Sequence, residues 1–147
     1  MIKFSKYTMV TYIVISILLI GCKSNHDTAS SHSITYITKA CFGKCPVYSF
    51  TLSSGGNASF TGHKNVNQTG NININIPKKT TVEIFNLYDQ IDHTNKTYNA
   101  NLRDFPEKLL IYDKDTIRIK GSKNVPQNLL NLIKKIETTV NIHILNN

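Results

Sequence analysis

"VYSFTLSSGGNASFTGHK", residues 47–64, is the stretch that sets the architecture. Side chains of an extended chain alternate between two faces. Tyr48, Phe50 and Leu52 therefore share one face, and Val47, Ser49 and Thr51 share the other. "SGGN", Ser54–Asn57, then supplies two glycines able to take the positive φ of a tight turn. Ala58 and Phe60 follow on one face of a return strand. Two strands joined by a short turn pair antiparallel. The result is a hairpin with one apolar face, and that face needs a covering layer.

Working outward, "ITYIT" at 34–38 is β-branched and aromatic and reads as a strand. "NININI" at 71–76 alternates strictly, so a strand there would bury Ile72, Ile74 and Ile76 together. The period then changes. In "TTVEIFNLYDQI", 80–91, Ile84, Leu87, Tyr88 and Ile91 recur at helical spacing. Thr80 and Glu83 have the spacing of a capping box. Residues 93–107 show no period and read as a long loop, a kind of segment that is sometimes functional. "LLIYDKDTIRIKG", 109–121, has a hairpin pattern turning at Asp113-Lys114-Asp115. In "VPQNLLNLIKKIETTV", 125–140, Pro126 stands near a first helical position. Leu129, Leu132, Ile133, Ile136 and Val140 form the stripe that follows. The predicted fold is α+β and two-layered. A mainly antiparallel sheet of five to six strands carries two amphipathic helices packed on one face.

The 147 residues suffice for one domain, but the first ones belong to something else. Lys3 and Lys6 precede Met9–Ile20, an almost unbroken apolar run. Twelve helical residues span only about 18 Å against about 30 Å of bilayer hydrocarbon, which suits a signal-peptide core better than an anchor. "LIGC", Leu19–Cys22, resembles the lipobox of bacterial lipoproteins. That resemblance implies cleavage before Cys22 and lipidation of its sulfur. The expected organisation is a signal peptide at 1–21, a flexible polar tether at 22–33 and one α+β domain at 34–147. It implies a bacterial envelope protein, lipid-anchored to the membrane. The net charge of +8 includes no lysine run, and export argues against a nucleic-acid partner. An abundance of Asn, Ile and Lys reads as the bias of an AT-rich genome.

Outside the cytoplasm, Cys41 and Cys45 are free to pair. Three readings compete for them. A reactive thiol pair favours C-x-x-C at a helix start, whereas here the spacing is C-x-x-x-C followed by Pro46 and a strand pattern. A metal site needs further ligands, and His26, His32, His63, His93 and His143 are scattered singly, as surface histidines are. A structural disulfide fits best, with Gly43 letting the chain fold back; closing so short a loop stabilises by about 2 kcal/mol in the chain-entropy model. No metal and no cofactor is expected. No catalytic residue is assigned either: there is no G-x-S-x-G elbow, and Asp89 with Asp92 and Asp104 with Glu107 read as solvated charges.

"CFGKCPVYSF" at 41–50, the "GG" turn, "FTGHKNVNQTG" and the later "DFPEKLLIYD" together resemble the domain of unknown function 6438 over about residues 34–144. The matching motif residues are Cys41, Phe42, Gly43, Cys45, Pro46 and Tyr48. The chain lacks the Trp seen near the end of many members. The resemblance implies a Bacteroidota lipoprotein or secreted protein and supplies no activity. "DTA" and "DTI" look like the Asp-Thr-apolar O-glycosylation site of that phylum, which makes Thr28 and Thr116 candidate acceptors. "KSNHD" after Cys22 lacks an acidic surface-export signal, so the expected location is the periplasmic face of the outer membrane. The function expected is a non-enzymatic binding or structural domain serving an envelope protein or the cell wall. The alternative is an envelope enzyme using Cys41 and Cys45 or the 93–107 loop.

Overall fold

In chain order, the elements of the computed structural model, which describes residues 31–145, are β1 (Ser33–Thr38), β2 (Val47–Ser53), β3 (Asn57–Lys64) and β4 (Gly70–Asn75). Helix α1 (Lys78–Asp89), β5 (Thr97–Tyr98), β6 (Glu107–Tyr112), β7 (Asp115–Lys120) and α2 (Gln127–Val140) follow, and a π-helical turn, Asn141–Leu145, closes the described chain. The seven strands lie in the order β4-β3-β2-β1-β6-β7-β5. Every neighbouring pair is antiparallel except β5–β7. The signal-peptide residues, Cys22, most of the tether and Thr28 lie outside the described residues. No helix among those described is long and apolar enough to cross a membrane.

The 47–64 hairpin forms as its pattern predicts. Gly56, at φ 93°, turns the chain and donates its N–H to the Ser53 carbonyl at 2.9 Å. Register then carries the apolar alternation across the sheet. Ile72, Phe60, Phe50, Tyr36, Leu110 and Ile117 stand opposite one another in a single row through six strands. This row faces the helices, and Ile84, Leu129, Leu132 and Ile136 join it in one buried cluster. Full burial of each such side chain contributes about 1.5–3 kcal/mol. The opposite sheet face carries hydroxyls, including Thr35 and Thr51, whose Oγ1 atoms lie 3.0 Å apart. The two helices run antiparallel against each other: Lys135 Nζ reaches Glu83 Oε2 at 2.5 Å, and Asn128 donates to the Gln90 carbonyl at 2.6 Å.

Several local expectations are corrected. Helix α1 begins at Lys78 with Pro77 at its N-cap and no side-chain cap, so Thr80 and Glu83 form no capping box. Proline's fixed φ starts the helix three residues earlier than the Thr80 reading, and Glu83 spends its carboxylate on Lys135 instead. Strand β4 is an edge, which leaves Ile72 and Ile74 half-buried; only Ile76, beyond its end, is fully enclosed. The 93–107 loop contributes the seventh strand: Thr97–Tyr98 pairs parallel with β7, and Tyr98 is buried. Two residues assigned to the tether belong to the fold: Ser33 opens β1, and His32 accepts from the Ser54 N–H through its carbonyl.

Candidate functional site

The six motif residues sit where β1 turns into β2. Cys41 and Cys45 form a disulfide across their five-residue loop, with 5.8 Å between Cα atoms. The corner is held from three further sides. Thr38 Oγ1 donates to the Pro46 carbonyl at 2.7 Å and accepts from the Tyr48 N–H at 3.2 Å. Asn65, in the left-handed region at φ 56°, donates its side-chain amide to the Cys45 carbonyl at 3.0 Å. Lys39 donates its N–H to the Glu107 carbonyl at 2.9 Å. A register shift in the β2–β3 pairing falls between Val47 and Tyr48. Gly43 is not in the left-handed region, and a Cβ there would meet nothing nearer than Cys41 Sγ at 3.8 Å. The loop closes without needing a glycine at that point, contrary to the role the sequence suggested for it.

This staple positions two features. One is Phe42, 89 % exposed at the loop's tip. The other is a cleft of about 320 Å³ between the corner, the start of β6 and the end of α2. Its floor comes from one cross-strand row, in which Tyr48, Thr38 and Lys108 are successive neighbours. Pro46, Pro106 and Leu145 wall it. Glu137 overhangs it from α2, where it falls four residues after Ile133 and so near the apolar stripe. Glu137 Oε1 accepts from Tyr36 Oη at 2.5 Å and from Lys108 Nζ at 2.7 Å. Burial, reinforced by the Glu137 charge, pushes the Tyr36 and Tyr48 phenols well above the usual tyrosine range. Both stay neutral donors at physiological pH. The Tyr48 hydroxyl, in contrast to that of Tyr36, has no hydrogen-bond partner among the described residues, and it stays within reach of solvent where Tyr48 lines the cleft.

Tyr36, Lys108 and Glu137 went unpredicted. The signal for Tyr36 was its place on the Ile34 face, since a buried phenol needs a partner. Also missed was a ring stack at the other end of the sheet. His32, Tyr112, Tyr88 and His93 follow one another at centroid distances of 5.6, 4.3 and 4.8 Å. His32 Nδ1 lies 2.7 Å from Asp113 Oδ2, and this contact with the Ser33 N–H holds the Asp113 carboxyl below the usual range. His93, expected at the surface, is half-buried, and its Nδ1 is buried without a partner. Burial, with the nearby Asp115, pushes the Tyr88 phenol up to about 12.

The other predicted residues are dispersed. Thr116 is half-buried in β7, away from the motif corner. Asp89 and Asp92 flank the end of α1, and Asp92 accepts from the Thr94 N–H at 2.9 Å. Glu107 is drawn into pairs with Lys39 at 2.5 Å and Arg118 at 3.7 Å, while Asp104 is exposed. Among the described residues no cluster of His, Cys, Asp and Glu could hold a metal ion.

No curated protein matches the chain. The profile of the domain of unknown function DUF6438 matches residues 32–140, a span that runs from the first residue of the ring stack through the end of α2 and includes the motif corner and all of the cleft lining except Asn141 and Leu145. The chain belongs to the DUF6438 family.

Proposed function

We propose that the protein is an envelope lipoprotein whose domain binds a partner at its motif corner and catalyses nothing there. Lipid on Cys22, a short tether and the outer membrane facing the periplasm make up the anchoring half of the reading. The observation that carries the binding half is the presentation of Phe42. An aromatic side chain left 89 % exposed on a loop closed by a disulfide has no packing role in its own domain. Rigid display of an aromatic lowers the entropy cost of binding. The chain enters the fold at Ser31–Ser33, at the opposite end of β1 from the motif corner. A membrane tether attached there leaves the corner free to point away from the lipid.

The thiol-enzyme alternative lacks support in the geometry: Cys41 and Cys45 precede a strand, and among the described residues no helix start or basic side chain is hydrogen-bonded to either sulfur. Two experiments test the proposal. Cys22→Ser should move the protein from the membrane to the soluble fraction. Phe42→Ala should weaken recovery of a crosslinked partner from the native envelope without lowering the melting temperature. Membrane retention of the first variant, or full recovery with the second, would overturn the corresponding half. Thr28 and Thr116 are proposed acceptors for glycosylation, and the intact mass of the exported protein decides it through presence or absence of a sugar increment.

A further inference from the structure

We infer that the cleft beside the motif corner takes a neutral hydroxylated ring, one sugar unit of a glycan. This rests on the reading of the motif corner as the binding end and names the ligand class. The first ground is an unfinished hydrogen-bond inventory. The Tyr48 hydroxyl has no protein partner among the described residues and is not a fully buried atom: where Tyr48 lines the cleft, that hydroxyl is open to solvent and available to a ligand. Nearby capacity is also unspent. The bonds from Tyr36 and Lys108 to Glu137 both fall on Oε1, so Oε2 has lone pairs to offer. The Lys108 ammonium gives one N–H to Glu137 and keeps the others.

The second ground is charge. Lys108 and Glu137 neutralise each other at 2.7 Å, so the cleft offers donors and acceptors without net charge. That disfavours a phosphate, a carboxylate or an ammonium and suits hydroxyls, which both donate and accept. The third ground is the wall. Pro46, Pro106 and Leu145 present C–H surface on which the faces of a pyranose ring can lie. The volume of about 320 Å³ falls at the small end of ligand sites, about 300–1,000 Å³. A peptide fits the same cleft less well. β1, β2 and β6 are interior strands whose backbone groups are committed to neighbours, so no free edge there can read a peptide main chain.

The test uses the full chain, purified in detergent, and saturation-transfer NMR. The probes are N-acetylglucosamine, methyl glucoside and a blocked dialanine peptide. The ring protons of at least one sugar should receive saturation, and the peptide should not. Tyr48→Phe, which removes a hydroxyl with no protein partner, should weaken sugar binding about tenfold and leave the melting temperature unchanged. Asn141→Ala, on the exposed rim, should weaken it too and carries the test if Tyr48→Phe disturbs folding. Transfer to the peptide alone, transfer to no probe at tens of millimolar, or sugar binding indifferent to both variants would overturn the inference. If a partner is still recovered through Phe42 while sugars fail to bind, the binding-end reading stands and only the ligand class falls.

Discussion

Tyr48 shows how one side chain couples the fold to the cleft. Its ring packs against Phe60 at a centroid distance of 5.3 Å, its N–H is held by Thr38, and its hydroxyl is left over. Glycines illustrate the same logic of local necessity. A Cβ on Gly62 would sit 2.0 Å from the Gln68 carbonyl oxygen, because the 65–69 loop folds back over β3. Gly62→Ala should therefore cost about 1–3 kcal/mol in chemical denaturation, while Gly43→Ala, whose Cβ would make only an ordinary contact with Cys41 Sγ at 3.8 Å, should change stability by less than about 0.5 kcal/mol. Equal effects would refute the distinction. The phenols make a second prediction at this scale. An unfolded tyrosine ionises near 10.0, whereas burial holds Tyr36 and Tyr48 neutral far above that and Tyr88 up to about 12. The unfolded chain thus loses protons first, and the stability contributed by the neutral phenols, fully present below pH 10, declines as pH rises past it. Urea midpoints should fall between pH 9 and pH 11; a flat profile would contradict this.

The stapled corner is the element that matters most. Replacing Cys41 and Cys45 together by serine should lower stability by about 2 kcal/mol, the loop-closure value for five residues, and the sheet should survive because its ladder does not depend on the loop. Loss of the whole fold on reduction would show that the corner does more than close a turn. Much at this scale was legible beforehand. The period-2 and period-3.6 patterns located β1 to β4, both helices and the β6–β7 hairpin, and turn chemistry placed Gly56 and Asp113 correctly. What was not legible has physical causes. Strand β5 is two residues long and is held by β7, so no local period could reveal it. The α1 start was misplaced because Thr80-x-x-Glu83 mimics a cap that Pro77 makes unnecessary. The cleft joins Tyr48, Lys108 and Glu137 from three distant segments, and only strand register and the antiparallel helix pair bring them together. Asparagine abundance, read as genome bias, also has structural use: Asn65, Asn99 and Asn124 occupy left-handed positions.

At the scale of the molecule, the domain is polarised along its strands. One end holds the chain's entry at Ser31–Ser33, the Gly56 turn and the ring stack; the other holds the disulfide, Phe42 and the cleft. Exposed apolar side chains follow the same division. Phe42 tops the motif corner and Ile142 lies in the π-helical turn that borders the cleft, whereas exposed Val82 stands next to Thr81, whose hydroxyl reaches the Ile76 carbonyl beside the Gly56 turn. The most direct measurement of the motif corner as the binding end compares photo-crosslinking in the native envelope from position 42 with that from position 82. A photoreactive phenylalanine analogue is placed at one or the other in the full chain, and both proteins are checked for equal melting temperature. Defined crosslinked products from position 42 and none from position 82 is the expected result. Equal products from both positions, or products from position 82 alone, would contradict it.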